Sequence, residues 1–345
     1  MTAATTPSRA SARSPLAAPP HRKSAVGFAD LAALTLRQHR VALILVTALY
    51  VLFGLVIKFA NGRLEVGRFV YVDPQLFSPV LAIVVGLFLG APLLASEYEQ
   101  RTYVVAWSQD VSPLRWLRVK LIVLGGAVVL LSGLFALFVR AQAVHEYVTH
   151  LGPYQPTEVS AAIAYQSWLP LTIAWAVTGF VFGVVIGATA RRIVAAMSGT
   201  LFGLGGLWFL MNYVVRPWLM TSVITPVRDS WPLANLITHP EGQPAFMFTQ
   251  DYVISWQLWV TSSGSATEGL PSACYDTYYG QQIDMKSFVA CMARQGYVSG
   301  AEDYQPADRT IVFQSIELAM YAVLIALCIG LTVWSVRRYR HRQAN

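Results

Sequence analysis

The sequence predicts an all-α polytopic membrane protein: six transmembrane helices, both termini cytoplasmic, and a large extracytoplasmic loop between helices five and six. Three observations predict it. The 345 residues are 55% hydrophobic and 12% charged, where soluble domains carry about 25% charged residues. Six runs, Val41–Ile57, Leu76–Ala95, Leu121–Val139, Trp168–Ala190, Ile193–Val215 and Leu318–Val336, contain no Lys, Arg, Asp or Glu. Each approaches the roughly 20 apolar residues that cross a hydrocarbon core. Finally, Lys and Arg gather on one side of the resulting topology. The runs are long and continuous, which excludes a barrel of short alternating strands.

Residues 1–40 read as a disordered cytoplasmic tail followed by an amphipathic lead-in. The first 24 residues are rich in Ala, Ser and Pro and lack an apolar h-region, so a cleaved secretory signal is not expected. The six-helix transmembrane domain then occupies 41–336, with a cytoplasmic segment at 96–117 and an extracytoplasmic loop subdomain at 216–310. A basic cytoplasmic tail, 337–345, follows. On this plan 16 of the 25 Lys and Arg residues share one side with only four acids, Asp30, Glu97, Glu99 and Asp110. Short cytoplasmic loops hold the basic residues, so both termini and the Arg191-Arg192 turn are expected in the cytoplasm of a cell-membrane protein. The net charge of +7 is thereby a matter of topology and lipid headgroups, and no nucleic-acid partner is expected.

The segment "SEYEQRTYVVAWSQDVSPLRWLRVK" divides the second run from the third. Ser96 to Glu99 fits an S-x-x-E capping box, which predicts that span two ends nearby and a short helix begins. Tyr103, Val104, Trp107 and Val111 fall on one helical face. Ser112-Pro113 is a second start signal, with Ser as N-cap and Pro at the first helical position. Arg115, Arg118 and Lys120 are expected to anchor span three at the headgroups. Glu97, Glu99, Gln109 and Asp110 would face the cytoplasm or a partner. An inert interfacial helix fits the same periodicity.

Other motifs are weaker. Gly179, Gly183 and Gly187 stand at i, i+4 and i+8 in span four, the spacing that lets helices approach closely in lipid. Intramolecular packing is the favoured use and a dimer seam the alternative. "HEYVTH", His145–His150, places its histidines five apart, which does not match the H-E-x-x-H zinc spacing, and reads as a polar loop beyond span three. Neither a P-loop nor a G-x-S-x-G elbow occurs, so neither a self-supplied nucleotide site nor a serine hydrolase is expected. Catalytic, metal and cofactor residues are accordingly expected to be none. Glu317 at the outer edge of span six is the candidate pathway residue, where it would reach headgroups or water. "DYVISWQLWV" (Asp251–Val260) is either a strand or an interfacial segment, and seven or eight spans form a minor alternative. Cys274 and Cys291 share the outside loop, where a disulfide persists, and are expected to pair.

The sequence resembles the actinobacterial type-2 ABC transporter permeases. Their cytoplasmic segment runs approximately E-Y-E-x-G-T, A-W-T-Q-x-V, S-R-x-R-W-L-x-x-K. Glu97, Tyr98, Glu99, Thr102, Ala106, Trp107, Gln109, Val111, Ser112, Arg115, Trp116, Leu117 and Lys120 match it, with Arg101, Ser108 and Pro113 as departures. "YQPADRTIVFQSIE" (Tyr304–Glu317) resembles the lead into the last span of that family. The resemblance implies the membrane subunit of an ABC exporter, a half-transporter that pairs with a second permease subunit, same or related. It further implies a separate cytoplasmic ATPase that binds ATP and Mg, docked on a coupling helix built from Glu97, Glu99, Thr102, Trp107, Gln109 and Asp110. Two other classes compete. One is a membrane sensor or immunity protein whose outer loop binds a ligand. The other is a membrane-embedded enzyme, which the charge-free spans disfavour.

Overall fold

The computed structural model describes residues 27–59, 64–66, 70–72, 77–100, 112–150, 168–226, 252–275 and 285–344. Among these, six helices are long and apolar enough to cross a membrane: Arg40–Phe59, Ser78–Gln100, Pro113–Gln142, Leu169–Ala190, Ile193–Leu219 and Thr310–Arg338. They are called spans one to six. A helix rises about 1.5 Å per residue, so the 22 residues of span four match a core about 30 Å thick. A separate helix, Phe28–Gln38, leads into span one, with Asp30 Oδ2 accepting the Gly27 N–H at 3.0 Å. Its Leu31 and Thr35 are buried, while Phe28, Leu34 and Leu36 stay exposed, the disposition of a helix lying in an interface.

Span four is the centre of the bundle, packed against spans two, three, five and six. Its glycine stripe explains the closeness of span two. A Cβ added at Gly179, Gly183 or Gly187 would strike the backbone oxygens of Ala82, Gly86 and Ala91, one after another along span two. Span two answers with its own small residues: a Cβ at Gly90 would strike the Phe180 carbonyl, and one at Gly86 would lie 2.7 Å from the Gly179 oxygen. The stripe is therefore filled within the chain. Span one sits outside, with Tyr50 edge-on to Phe135 of span three at 5.6 Å.

Spans two and five share a local device. Each contains one wide π turn, Gly86–Gly90 and Met211–Val215. Each turn is followed two residues later by a proline, Pro92 and Pro217. A proline inside a helix lacks an N–H, and its ring crowds the carbonyl four residues back. Here the preceding amides, of Ala91 and Arg216, bond five residues back, to Gly86 and Met211. The widened turn makes room for the ring and lets each helix continue.

Several boundaries differ from expectation. Span two does not end at a capping box: the helix runs on to Gln100, and Ser96 Oγ donates to the Pro92 carbonyl at 2.6 Å instead. The helix of span three extends from Pro113 to His150, so His145–His150 is helical rather than a loop. Its start follows expectation, with Ser112 Oγ accepting the Arg115 N–H at 3.3 Å. The last helix begins at Thr310, ahead of the charge-free run, and Arg216 lies within span five rather than in the following loop. Charge-free runs locate hydrocarbon; helices continue past it wherever backbone hydrogen bonds still lack a better partner.

Between spans five and six the described residues form a β subdomain. Strands β3 (Val223–Pro226), β4 (Tyr252–Thr261), β5 (Ala266–Glu268) and β6 (Tyr297–Gln305) form an antiparallel sheet in the order β3-β6-β4-β5. A small hairpin, β1 (Leu64–Val66) with β2 (Val70–Val72), joins spans one and two. Of the two readings of Asp251–Val260, the strand holds. Helix Met285–Arg294 covers the sheet, with Phe288 against Trp259 at 5.6 Å. Gly296, at φ +84, makes the sharp exit into β6 that a side chain would resist. Cys274 and Cys291 are bonded at 2.02 Å and sit in this small core beside Met292. Cross-linking residues 17 apart stabilises a fold by about 3 kcal/mol through the unfolded chain. Cys274→Ala with Cys291→Ala is thus expected to make the subdomain protease-sensitive while the bundle keeps its helical circular dichroism. Limited proteolysis read beside the dichroism checks this.

Candidate functional site

Two buried ion pairs mark the two ends of the bundle. At the end away from the β subdomain, Lys120 Nζ of span three donates to Glu97 Oε1 of span two. Lys120 is only 1% exposed, and its ammonium lies 4.3 Å from the centroid of the Trp116 ring. The expected headgroup anchor is thus corrected for Lys120: the helix face carrying Trp116, Leu117, Val119 and Lys120 turns inward, and Arg115 and Arg118 remain exposed. Glu97 Oε2 and His39 Nε2 are buried without a hydrogen-bond partner among the described residues. Burial, and then the nearby Lys120 charge, lower the His39 pKa to about 4, so this imidazole is neutral at pH 7.

Glu99 has a different partner. Its Oε2 accepts the Ile193 N–H at 2.9 Å, at the first turn of span five, where amides lack intrahelical acceptors and negative charge is favoured. The neighbouring Tyr98 ring faces the Arg191 guanidinium, with Cζ 6.0 Å from its centroid. Arg191 itself takes a left-handed conformation, φ 57, and closes span four. Two residues of the second span's last turn therefore grip the tight Arg191-Arg192 turn between spans four and five. Thr102, Trp107, Gln109 and Asp110 lie outside the described residues.

At the opposite end Glu317 is completely buried, two helical turns past Thr310. The expectation that it reaches headgroups or water is corrected. Its carboxylate takes two hydrogen bonds from Arg216 of span five, Nε to Oε1 and Nη2 to Oε2, the second at 3.1 Å. Arg216 Nη1 also donates to Asn212 Oδ1 at 2.5 Å, and Asn212 Nδ2 donates to the Trp208 carbonyl at 2.8 Å. Bidentate pairing satisfies both ions where water is scarce. Sequence reasoning missed Arg216, although a signal existed: lone, opposite charges stand where the apolar runs of consecutive spans end and begin. Beyond the pair, Gln305 Nε2 donates to the Met220 carbonyl and Arg309 Nη1 to the Thr221 carbonyl, both at 2.8 Å, tying the end of β6 and the turn after it to the residues that follow span five.

Among the described residues no group of three or more His, Cys, Asp or Glu side chains is placed to hold a metal ion. The features together define a class: a multi-pass helical membrane protein, with one central helix and an ion pair toward each end of the bundle. Residues 67–216 match the family model described as ABC-2 membrane transporter related. That stretch is similar to the membrane domain of ABC-2 transporters, which supports a membrane transport subunit of the ABC-2 permease type. The match covers spans two to five and ends at Arg216. No curated protein and no solved structure matches the chain.

Proposed function

We propose that the chain is the permease subunit of an ABC export system in the cell membrane. It pairs with a second permease subunit, same or related, and is driven by a separate cytoplasmic ATPase that binds ATP and Mg. The single observation carrying this is the family match over spans two to five. Six spans return the chain to the face where it began. The basic residues at that face support cytoplasmic termini.

The segment between spans two and three is the docking site for the ATPase. Its geometry suits force transmission. Glu97 and Lys120 pair just before the segment leaves the bundle and just after it returns, while Glu99 and Tyr98 hold the turn between spans four and five. A push on residues 101–111 would thus reach spans two to five through direct side-chain contacts. Glu97 and Glu99 position the segment, and Thr102, Trp107, Gln109 and Asp110 supply its contact with the ATPase. Interface tryptophans commonly contribute 2 kcal/mol or more. Trp107→Ala is accordingly expected to weaken co-purification of the ATPase by roughly tenfold or more. Asp110→Ala is expected to weaken it less. Normal ATPase association and undiminished substrate-stimulated hydrolysis in Trp107→Ala, at wild-type expression, would sink the docking role.

A further inference from the structure

Span three buries one side and leaves the other open. Trp116, Lys120, Leu124 and Val128 are on the buried side. At about 100° per residue, Arg115, Arg118, Ile122, Gly126 and Val129 fall together on the opposite side, and all five are exposed. Two guanidinium groups therefore stand at the head of an outward stripe that is otherwise apolar. A Cβ at Gly126 would meet nothing within 4 Å, while Ile122 and Leu130, one turn to either side, are 60% and 61% exposed. The stripe is thus notched at Gly126, between two protruding side chains.

Charge at this end of the bundle is one-sided. Asp30 accepts the Gly27 N–H, Glu97 is held by Lys120, and Glu99 accepts the Ile193 N–H. Arg118 makes no ion pair among the described residues, nor do Arg37 in the last turn of the lead-in helix and Arg40 at the start of span one. A negative ligand is favoured here, and the apolar stripe selects one with a hydrocarbon tail. Gly126 lies about 12 Å along the helix from Arg118, past a headgroup layer about 5–8 Å deep. We propose that this stripe binds an anionic phospholipid, its phosphate between Arg115 and Arg118 and one acyl chain in the notch at Gly126. A zwitterionic lipid offers the same phosphate but adds an ammonium that the surrounding arginines repel; a phosphoglycerol headgroup adds no cation. The lipid braces the outer side of the helical turn whose inner side holds Lys120 against Glu97. Binding needs only that span three crosses the membrane and does not depend on an ATPase.

The test uses the full chain, delipidated in neutral detergent and given equal amounts of phosphatidylglycerol and phosphatidylcholine with the same acyl chains. Native mass spectrometry reads the lipid retained. Phosphatidylglycerol is expected to exceed phosphatidylcholine by about fivefold or more, the factor that one basic residue contributes at an anionic surface. Arg115→Gln with Arg118→Gln should bring the ratio close to unity. Arg337→Gln with Arg338→Gln, the same loss of charge at the end of span six, should leave it unchanged. Gly126→Leu should lower retention of phosphatidylglycerol at unchanged melting temperature, and excess glycerol phosphate, a headgroup without chains, should not displace the lipid. Equal retention of the two lipids overturns the proposal. So does a ratio that falls equally in both arginine pairs, which is diffuse attraction to the whole face. Displacement by glycerol phosphate, or full retention in Gly126→Leu, means a phosphate held without its chain and overturns it too. If the Arg115 and Arg118 double variant does not fold, Gly126→Leu and the competitor decide.

Discussion

Glu317→Ala is expected to be among the most damaging single substitutions in the chain. It leaves the Arg216 guanidinium 6% exposed between spans four, five and six, with its bidentate acceptor gone. Removing one partner of a buried pair costs about 3–5 kcal/mol, because the remaining charge is stranded. Whole proteins are stable by only about 5–15 kcal/mol. Folded protein recovered from membranes should therefore fall sharply, and size-exclusion profiles after a temperature ramp measure it. Arg216→Met should do comparable harm alone. The double variant, Arg216→Met with Glu317→Leu, should recover most of the loss, since an apolar pair of similar volume replaces a buried ion pair at little cost. Two single variants as stable as the wild type would show that the ions are solvated rather than buried.

Gly183→Val is the second large expectation. Two backbones meet there: the added Cβ strikes the Gly86 oxygen and lies 2.8 Å from the Ala91 nitrogen. Neither atom can rotate away as a side chain could. Overpacking a core costs about 1–3 kcal/mol, and more when backbone must move; the upper end is expected here, because spans two and four must separate. Gly126→Ala and Gly206→Ala are the controls, since a Cβ at either position meets nothing within 4 Å. Both should stay within about 1 kcal/mol of the wild type, the scale of a helix-propensity change. Melting temperatures of the three purified variants separate a packed glycine from an open one.

Which parts of this were legible in the sequence depended on the range of the interaction. The six helices were legible because hydrocarbon filters residues one by one, and Ser112-Pro113 because a helix start is a local matter of one hydroxyl and one fixed φ. The glycine stripe was legible as a contact surface, but the span that meets it was not, since small residues carry no address. Ser96–Glu99 misled for a related reason. A capping box and the interior of a long helix share a composition; the choice is made by Pro92, whose carbonyl takes the Ser96 hydroxyl. Glu97 and Glu99 were singled out, yet their partners, Lys120 and the Ile193 amide, lie 23 and 94 residues away. Arg216 escaped altogether, because the apolar run was ended at the first charge.

The separation between Arg216 and Glu317 has a consequence for how the protein is made. The two are 101 residues apart. A ribosome adding about 5–20 residues per second delivers the carboxylate about 5–20 seconds after the guanidinium. During that interval span five carries an arginine whose acceptor has not been synthesised. The charge pair thus closes only after most of the chain has been made, and a chain that stalls before Glu317 leaves Arg216 without that acceptor.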